Sequence, residues 1–254
     1  MKLNFNVSLA ENYTSNSQRI RVMSEAWVAE NMFCPCCGCC NIVQYENNCP
    51  GADFHCESCG EIFELKSKRG RIGRKIVDGS YSAAIQRVES NENAELLVLQ
   101  YQHLTVKNLT LIPKYFFTPS VIQRRAPLPP TARRAGWIGC NILYSEIPDQ
   151  GKIPVIKDGR IIEKSMVLAA YKRSKALYIA DMSRRGWLFD VLRCVNEISK
   201  VNFTLTDMYQ FTESLARKHP NNHNIQPKIR QQLQVLRDKG YITFLGNGQY
   251  QKVN

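Results

Sequence analysis

Apolar positions recur along this chain at two spacings, and the switch from one to the other marks its elements. Between Ser17 and Met32 they fall at Ile20, Met23, Trp27 and Val28, one face of a helix, with Ser15 or Ser17 available as the N-cap. That stripe predicts a helix laid across a sheet. Ile62-Phe63-Glu64-Leu65-Lys66 alternates apolar with polar, as a strand does, whereas 66–75 is glycine-punctuated and basic, which predicts a loop. Helical spacing returns from Ser80 to Val88. Glu95 to Tyr101 and Thr105 to Ile112 are apolar runs of strand length, suited to the middle of a mixed sheet. Pro127, Pro129 and Pro130 then break regular structure, and Thr131 to Trp137 reads as a basic loop carrying an aromatic.

A second unit begins near Ser183, dividing the chain into residues 1–182 and 183–254. Trp187, Leu188, Val191, Leu192 and Val195 give Arg185 to Ile198 a helical face. Thr204-Leu205-Thr206-Asp207 opens a second helix, and Ile225 to Lys239 forms a third, closed by Gly240 at C′. Ile229, Leu233 and Leu236 of the third helix should face the core. Tyr241 to Leu245 and Gln249 to Val253 flank Gly246-Asn247-Gly248 as a hairpin. Three helices and a two-stranded wing describe a winged-helix domain.

Composition narrows the partners. The chain has 254 residues, 44% of them hydrophobic, enough for a real core, and a formal charge of +12. Basic side chains that bind phosphates release condensed counterions, so nucleic acid is favoured over a membrane surface or an acidic protein. Residues 184–254 carry 11 Lys and Arg against 5 Asp and Glu, so the smaller unit is the more basic per residue and both should touch the polyanion. No apolar run approaches the roughly 18 residues of a membrane span, and the start lacks a signal-peptide pattern. A cytoplasmic monomer is expected.

Eight of the ten cysteines lie between Cys34 and Cys59, a crowding that in a reducing compartment holds metal more often than disulfides. Cys34-Pro35-Cys36-Cys37-Gly38 and Cys56-Glu57-Ser58-Cys59-Gly60 are two Cys-x-x-Cys knuckles 18 residues apart. The pairs Cys36/Cys39 and Cys37/Cys40 share the spacing, but only Cys34/Cys37 is followed at once by glycine, as Cys56/Cys59 is. A structural Zn2+ on Cys34, Cys37, Cys56 and Cys59 is therefore expected, since four thiolates leave no open position for chemistry. Cys36, Cys39, Cys40 and Cys49 are left as spares, and Cys140 and Cys194 as buried apolar residues.

Glu64 and Lys66 sit two apart on a strand and project to one face, with the Leu65 carbonyl between them. With Asp53 upstream, Asp53, Glu64 and the Leu65 carbonyl make the oxygen-rich, partly hydrated site that Mg2+ prefers. Lys66 would orient a water or stabilise developing charge on phosphate. His55 reads as an ordinary strand residue.

Asp53 with Glu64-x-Lys66 resembles the PD-(D/E)xK nuclease motif, with Pro50 three residues before the aspartate rather than adjacent. Further strings extend the likeness along the whole chain: Ser15-Asn16-Ser17-Gln18, Cys34-Pro35-x-Cys37-Gly38, Ala52-Asp53-Phe54, Phe63 to Lys68, Pro130 to Cys140 and Lys228 to Gln234. In these the chain resembles the DpnI family of methyl-directed type II restriction endonucleases. The resemblance implies an α/β (α+β) PD-(D/E)xK core with a mixed central sheet and a zinc-knuckle insertion, then the winged helix. It also implies Mg2+-dependent hydrolysis of both strands of double-stranded DNA at GATC carrying N6-methyladenine, both domains reading the methylated site. The alternative is a zinc-stabilised winged-helix regulator that binds methylated DNA without cutting.

A winged helix sets its third helix in the major groove, where adenine presents N7 and N6. Asn222, Asn224, Gln226, Lys228, Arg230, Gln231 and Gln234 are the candidate contacts there. In the larger unit Lys68, Arg69 and Arg71 are placed to guide the phosphate backbone. Arg133 and Arg134 are expected to hold phosphate or guanine, and the resemblance assigns Trp137 to the methyladenine pocket. Trp27 and Trp187, inside amphipathic helices, are expected in the core.

Overall fold

The computed structural model describes residues 1–46, 51–90 and 92–253; Cys49 and Pro50 lie outside the described residues. In chain order the elements are α1 (Asn16–Asn31), β1 (Val43–Gln44), β2 (Phe54–His55), β3 (Ile62–Arg69), β4 (Ile76–Ser80) and α2 (Tyr81–Glu89). Next come β5 (Glu95–Gln102), β6 (Thr105–Ile112), β7 (Ile122–Arg124), β8 (Gly139–Ile142), β9 (Ile153–Lys157), β10 (Arg160–Ile161) and α3 (Lys164–Lys175). The C-terminal part holds α4 (Met182–Glu197), β11 (Asn202–Thr204), α5 (Leu205–Tyr209), α6 (Thr212–Lys218), α7 (Ile225–Asp238), β12 (Ile242–Gly246) and β13 (Gln249–Lys252).

A mixed sheet in the order β1-β2-β3-β5-β6-β9-β10 forms the centre, with β3 and β5 parallel and the other neighbours antiparallel. β5 is buried on both faces, so it reads as an unbroken apolar run. Its Leu97 and Leu99 join Phe63, Phe54 and the α1 residues Met23, Trp27 and Val28 in one core. Leu96 and Val98 join Ala84 and Val88 of α2 in the other. Glu64 pairs with Leu96 and Lys66 with Val98, so both project to the α2 side. A second sheet, β4-β8-β7, stands on that side.

β3 does not stop at Lys66. It pairs with β5 as far as Arg69 opposite Tyr101, because a long central neighbour supplies hydrogen-bond partners that outweigh the charge of Ser67-Lys68-Arg69. The expected loop therefore begins only at Gly70. The second helix of the C-terminal unit is also interrupted: it halts at Tyr209 and resumes at Thr212, with Phe211 against the core. Its start is as expected, Thr204 and Asp207 forming a reciprocal capping box. Gly240, at φ +72°, ends α7. β11 adds a third strand to the wing, in the order β11-β13-β12. Ile229, Leu233 and Leu236 are fully buried, and Trp27 and Trp187 are core residues.

The C-terminal domain shares a core with the sheet. Arg185 to Leu192, Cys194 and Val195 of α4 are all buried, and Phe189 stacks on Phe116 with ring centroids 4.5 Å apart. At the rim of this contact Lys218 Nζ lies 2.6 Å from Glu146 and 2.6 Å from Asp190. Asp190 is also 2.9 Å from His219 Nε2, whose ring stacks on Trp187. Burial works to raise Asp190, but His219 and Lys218 outweigh it and hold the carboxyl below its usual value.

A group with a depressed native pKa stabilises the fold above its unfolded pKa, about 3.9 for Asp, and loses that contribution as pH falls through the lower native value. Lys218→Met should therefore lower stability by about 2 kcal/mol at neutral pH, since it leaves a buried carboxylate with one partner fewer. Its acid unfolding should begin at higher pH than that of the parent protein. Urea unfolding across a pH series measures both effects.

Candidate active site and metal centre

The two knuckles are built alike. The Gly38 amide donates to the Cys34 carbonyl at 2.9 Å and the Gly60 amide to the Cys56 carbonyl at 2.8 Å; the Cys34 amide donates to Cys39 and the Cys56 amide to Glu61. Each turn closes on a glycine in the left-handed region, φ +83° at Gly38 and +72° at Gly60, which explains the shared Cys-x-x-Cys-Gly signature. The sulfurs of Cys34, Cys37, Cys56 and Cys59 all lie within 4.8 Å of one another, with Cys34 to Cys59 at 3.7 Å and Cys37 to Cys56 at 3.6 Å. Thiolates about 2.3 Å from a tetrahedral ion stand about 3.8 Å apart, so this set fits a metal such as zinc.

Cys36 lies outside that set. Its sulfur clusters with Glu61 and the fully buried Glu95, where Lys114 Nζ pairs with Glu61 at 2.5 Å and Tyr171 donates to Glu95 at 2.8 Å. Burial, reinforced by Glu61, raises Glu95 to about 8, close to neutrality. An ammonium and a near-neutral acid make this cluster self-compensated. Cys39 and Cys40 take no part in the four-sulfur group, and Cys140 and Cys194 are fully buried.

Asp53 stands just before β2. Continuing the β2–β3 register, in which Phe54 faces Phe63, sets Asp53 opposite Glu64. β2 stops there, and the Asp53 carboxylate takes over from it: Oδ2 accepts the Leu65 amide at 2.7 Å. The N–H and C=O of one strand residue point to the same edge, so the Leu65 carbonyl also opens toward Asp53 and away from β5. Lys66 Nζ lies 2.6 Å from Glu64 Oε1 and 2.7 Å from Asp78 Oδ1 of β4. Burial raises Glu64 above the usual carboxylate range. Burial also works to lower Lys66, but Glu64 and Asp78 outweigh it and hold the ammonium charged. In Asp78 the penalty of burial is overcome by Lys66, and the carboxyl is held low.

Asp78 and Arg87 are the neighbours that sequence reasoning passed over. Arg87, on α2, favours the ionised forms of Glu64 and Asp78, and its guanidinium covers the backbone at Gly51, where even a Cβ would meet it at 1.8 Å. A signal for Asp78 was present: it is the one acid between Glu64 and Glu89, inside a strongly basic stretch. His55 packs its ring at a tilt against Tyr45, centroids 4.5 Å apart.

Lys68, Arg69 and Arg71 are exposed where β3 ends. Arg133 and Arg134 are exposed between β7 and β8, with the Arg134 guanidinium 4.7 Å over the half-buried Trp137 ring. That ring lies against Gly139, where a Cβ would meet it at 2.8 Å. On α7, Gln226, Arg230, Gln231 and Gln234 are exposed; the Arg230 guanidinium donates to the Tyr209 hydroxyl at 2.9 Å. The Asn222 side chain accepts from the Asn224 amide at 2.8 Å, Asn224 itself being exposed, and the half-buried Lys228 lies 5.9 Å over Trp187.

The fold is thus a mixed-sheet nuclease core of the PD-(D/E)xK kind, with a cysteine cluster able to hold a metal and a C-terminal winged helix. The family model described as DpnI, Dam-replacing family, matches residues 1–180, and the Dam-replacing HTH domain matches residues 183–252. The chain belongs to the Dam-replacing DpnI family. It is accordingly a methyl-directed restriction endonuclease that binds DNA. Among the described residues no helix is long and apolar enough to cross a membrane.

The metal centre sets the first test at this site. Purified protein should carry about one zinc per chain by elemental analysis. Cys56→Ser should lose it and melt on the order of 10 °C lower, the equivalent of about 3 kcal/mol in a chain of this size. Cys40→Ser, outside the cluster, should keep both metal and melting temperature.

Proposed function

We propose that this protein hydrolyses both strands of double-stranded DNA at GATC carrying N6-methyladenine, with Mg2+ as the catalytic ion and water as the nucleophile. The observation that carries the chemistry is the meeting of Glu64, Lys66 and Asp53 around Leu65 on one central strand. Asp53, Glu64 and the Leu65 carbonyl are hard oxygen donors, the set a small divalent cation takes, and they would hold it. When bound, Mg2+ supplies charge neutralisation at the phosphate and acidifies a coordinated water. The Leu65 amide fixes the Asp53 carboxylate. Lys66 keeps its ammonium on the same face and offers a proton donor where charge develops on a phosphate oxygen.

Substrate choice is proposed from family membership together with the disposition of exposed groups. Asn224, Gln226, Arg230, Gln231 and Gln234 offer amide and guanidinium edges that suit adenine and guanine in the major groove. Asn222 and Lys228 flank that face, and Trp137 with Arg133 and Arg134 offers a second, aromatic contact suited to a methyl group. Lys68, Arg69 and Arg71 contact phosphate. Residues 1–182 act as the cutting unit and 183–254 as a reading unit, in a protein that is monomeric in solution.

Plasmid grown with adenine methylation should be cut to discrete fragments in Mg2+, and the same plasmid grown without it should stay intact. Equal cutting of both sinks the methyl-directed reading, and a stable methyl-specific complex that never nicks favours the non-cleaving regulator. Lys66→Ala should lower the cleavage rate by at least about 100-fold while its affinity for methylated duplex changes little. Undiminished cutting by that variant overturns the catalytic assignment.

A further inference from the structure

We infer that Asp78 is a positioning residue for hydrolysis, which holds the Lys66 ammonium in place when Glu64 is engaged with the divalent cation. The inference rests on the reading of Asp53, Glu64 and Lys66 proposed above. Lys66 has three N–H donors, and in the structure two carboxylates hold it: Glu64 at 2.6 Å and Asp78 at 2.7 Å. Of these only Glu64 belongs to the proposed ligand set. A carboxylate bound to a cation gives up part of its hold on a neighbouring ammonium, because the cation competes for the same lone pairs. Asp78 keeps its hold, since it comes from β4, in the other sheet, and approaches Lys66 independently of the cation's ligands.

Local structure supports a carboxylate set for this purpose. The β4–β8 ladder shifts register between Asp78 and Ser80, passing over Gly79. Such a bulge bends a strand and re-aims one side chain, and bulges recur beside active sites for that reason. The side chain of Asp78 is only 6% exposed, so its charge is fixed by protein groups rather than by water. Its second oxygen lies 3.8 Å from the Cys140 sulfur, which itself lies 3.5 Å from the Gly79 carbonyl and steadies the bulge. Direct ligation of the cation by Asp78 is the competing role. The ammonium stands in contact with both carboxylates, in the space a shared ion would need.

The test is single-turnover cleavage of methylated duplex by Asp78→Asn across a magnesium titration, with affinity measured separately without divalent ions. The expected result is a rate lowered about 10- to 100-fold, the range for loss of an orienting partner of a catalytic group. The half-saturating magnesium concentration, DNA affinity and zinc content should be unchanged. Asp78→Glu, which restores the charge on a longer arm, should recover part of the rate. Asp78→Ser serves if the asparagine variant does not fold, and the same drop is expected. A full rate in the uncharged variant overturns the inference. So does a loss that high magnesium repairs, since that marks Asp78 as a ligand. Lys66→Ala, run alongside, separates the two levels. If Lys66→Ala cuts normally, the catalytic reading falls and the role of Asp78 with it. If Lys66→Ala is inactive while Asp78→Asn keeps the full rate, only the Asp78 inference falls.

Discussion

The site depends on one constraint, the parallel ladder that fixes β3 against β5 from Phe63 to Arg69. A parallel strand is committed to its register, because a slip by one residue would turn Phe63 and Leu65 to the α2 side and Glu64 and Lys66 into the core around α1. That register therefore decides which face carries the charge. On its other edge β3 meets only the two residues of β2, and two devices make up for so short a partner. Asp53 accepts the Leu65 amide where β2 runs out, and the Cys56/Cys59 knuckle closes the β2–β3 turn onto Cys34 and Cys37. The cysteine cluster thus acts on this strand pair by holding Asp53 in line with Glu64.

Electrostatics on the α2 face follow from that geometry. An ammonium withdrawn from water without partners costs several kcal/mol, and so does a carboxylate. Glu64, Lys66 and Asp78 share the penalty as one negatively charged triad, with Arg87 supplying a further positive field. The result is uneven by design of position: Asp78 is held low, Glu64 is raised by burial, and Lys66 stays charged.

Much of this was legible in the sequence, and the limits were physical ones. The period of α1 placed Trp27 and Val28 inward, the alternation of β3 put Glu64 and Lys66 on one face, and the two Cys-x-x-Cys-Gly strings gave the four sulfurs in their correct register. Each of those patterns is local. The run from Ser67 to Arg69 looked like a loop because its charge argued against burial, yet hydrogen bonding to a central neighbour carried the strand onward. Asp78 belongs to the same class of difficulty, since its meaning depends on β4 being delivered to Lys66 by a second sheet. The strands β7 to β11 and helix α3 went unforeseen for a related reason: they are short, and partners distant in sequence make them regular. Contacts of individual residues on α7 are of another kind again, because Asn222 and Lys228 show that a polar side chain near a reading helix can be engaged by its own protein.

Helix α4 decides how the C-terminal winged helix is related to the central sheet. Were the winged helix tethered by a free linker, the face of α7 could sample many distances from β3, and DNA contacts made by one part would say little about the other. Instead Trp187, Leu188, Phe189, Val191 and Leu192 are all at most 5% exposed within a core that also contains Phe116, Val98 and Ile112. Burying each such side chain contributes about 1.5–3 kcal/mol, as an upper estimate. Part of that burial is internal to the C-terminal domain, but the Phe116–Phe189 stack and the Glu146–Lys218–Asp190 bridge lie across the junction. Separation would strip the stack and take Glu146 away from Lys218. The span from α7 to Lys66 is consequently a property of the folded core, and under the proposed function a duplex held on α7 would meet β3 at a distance set by protein packing.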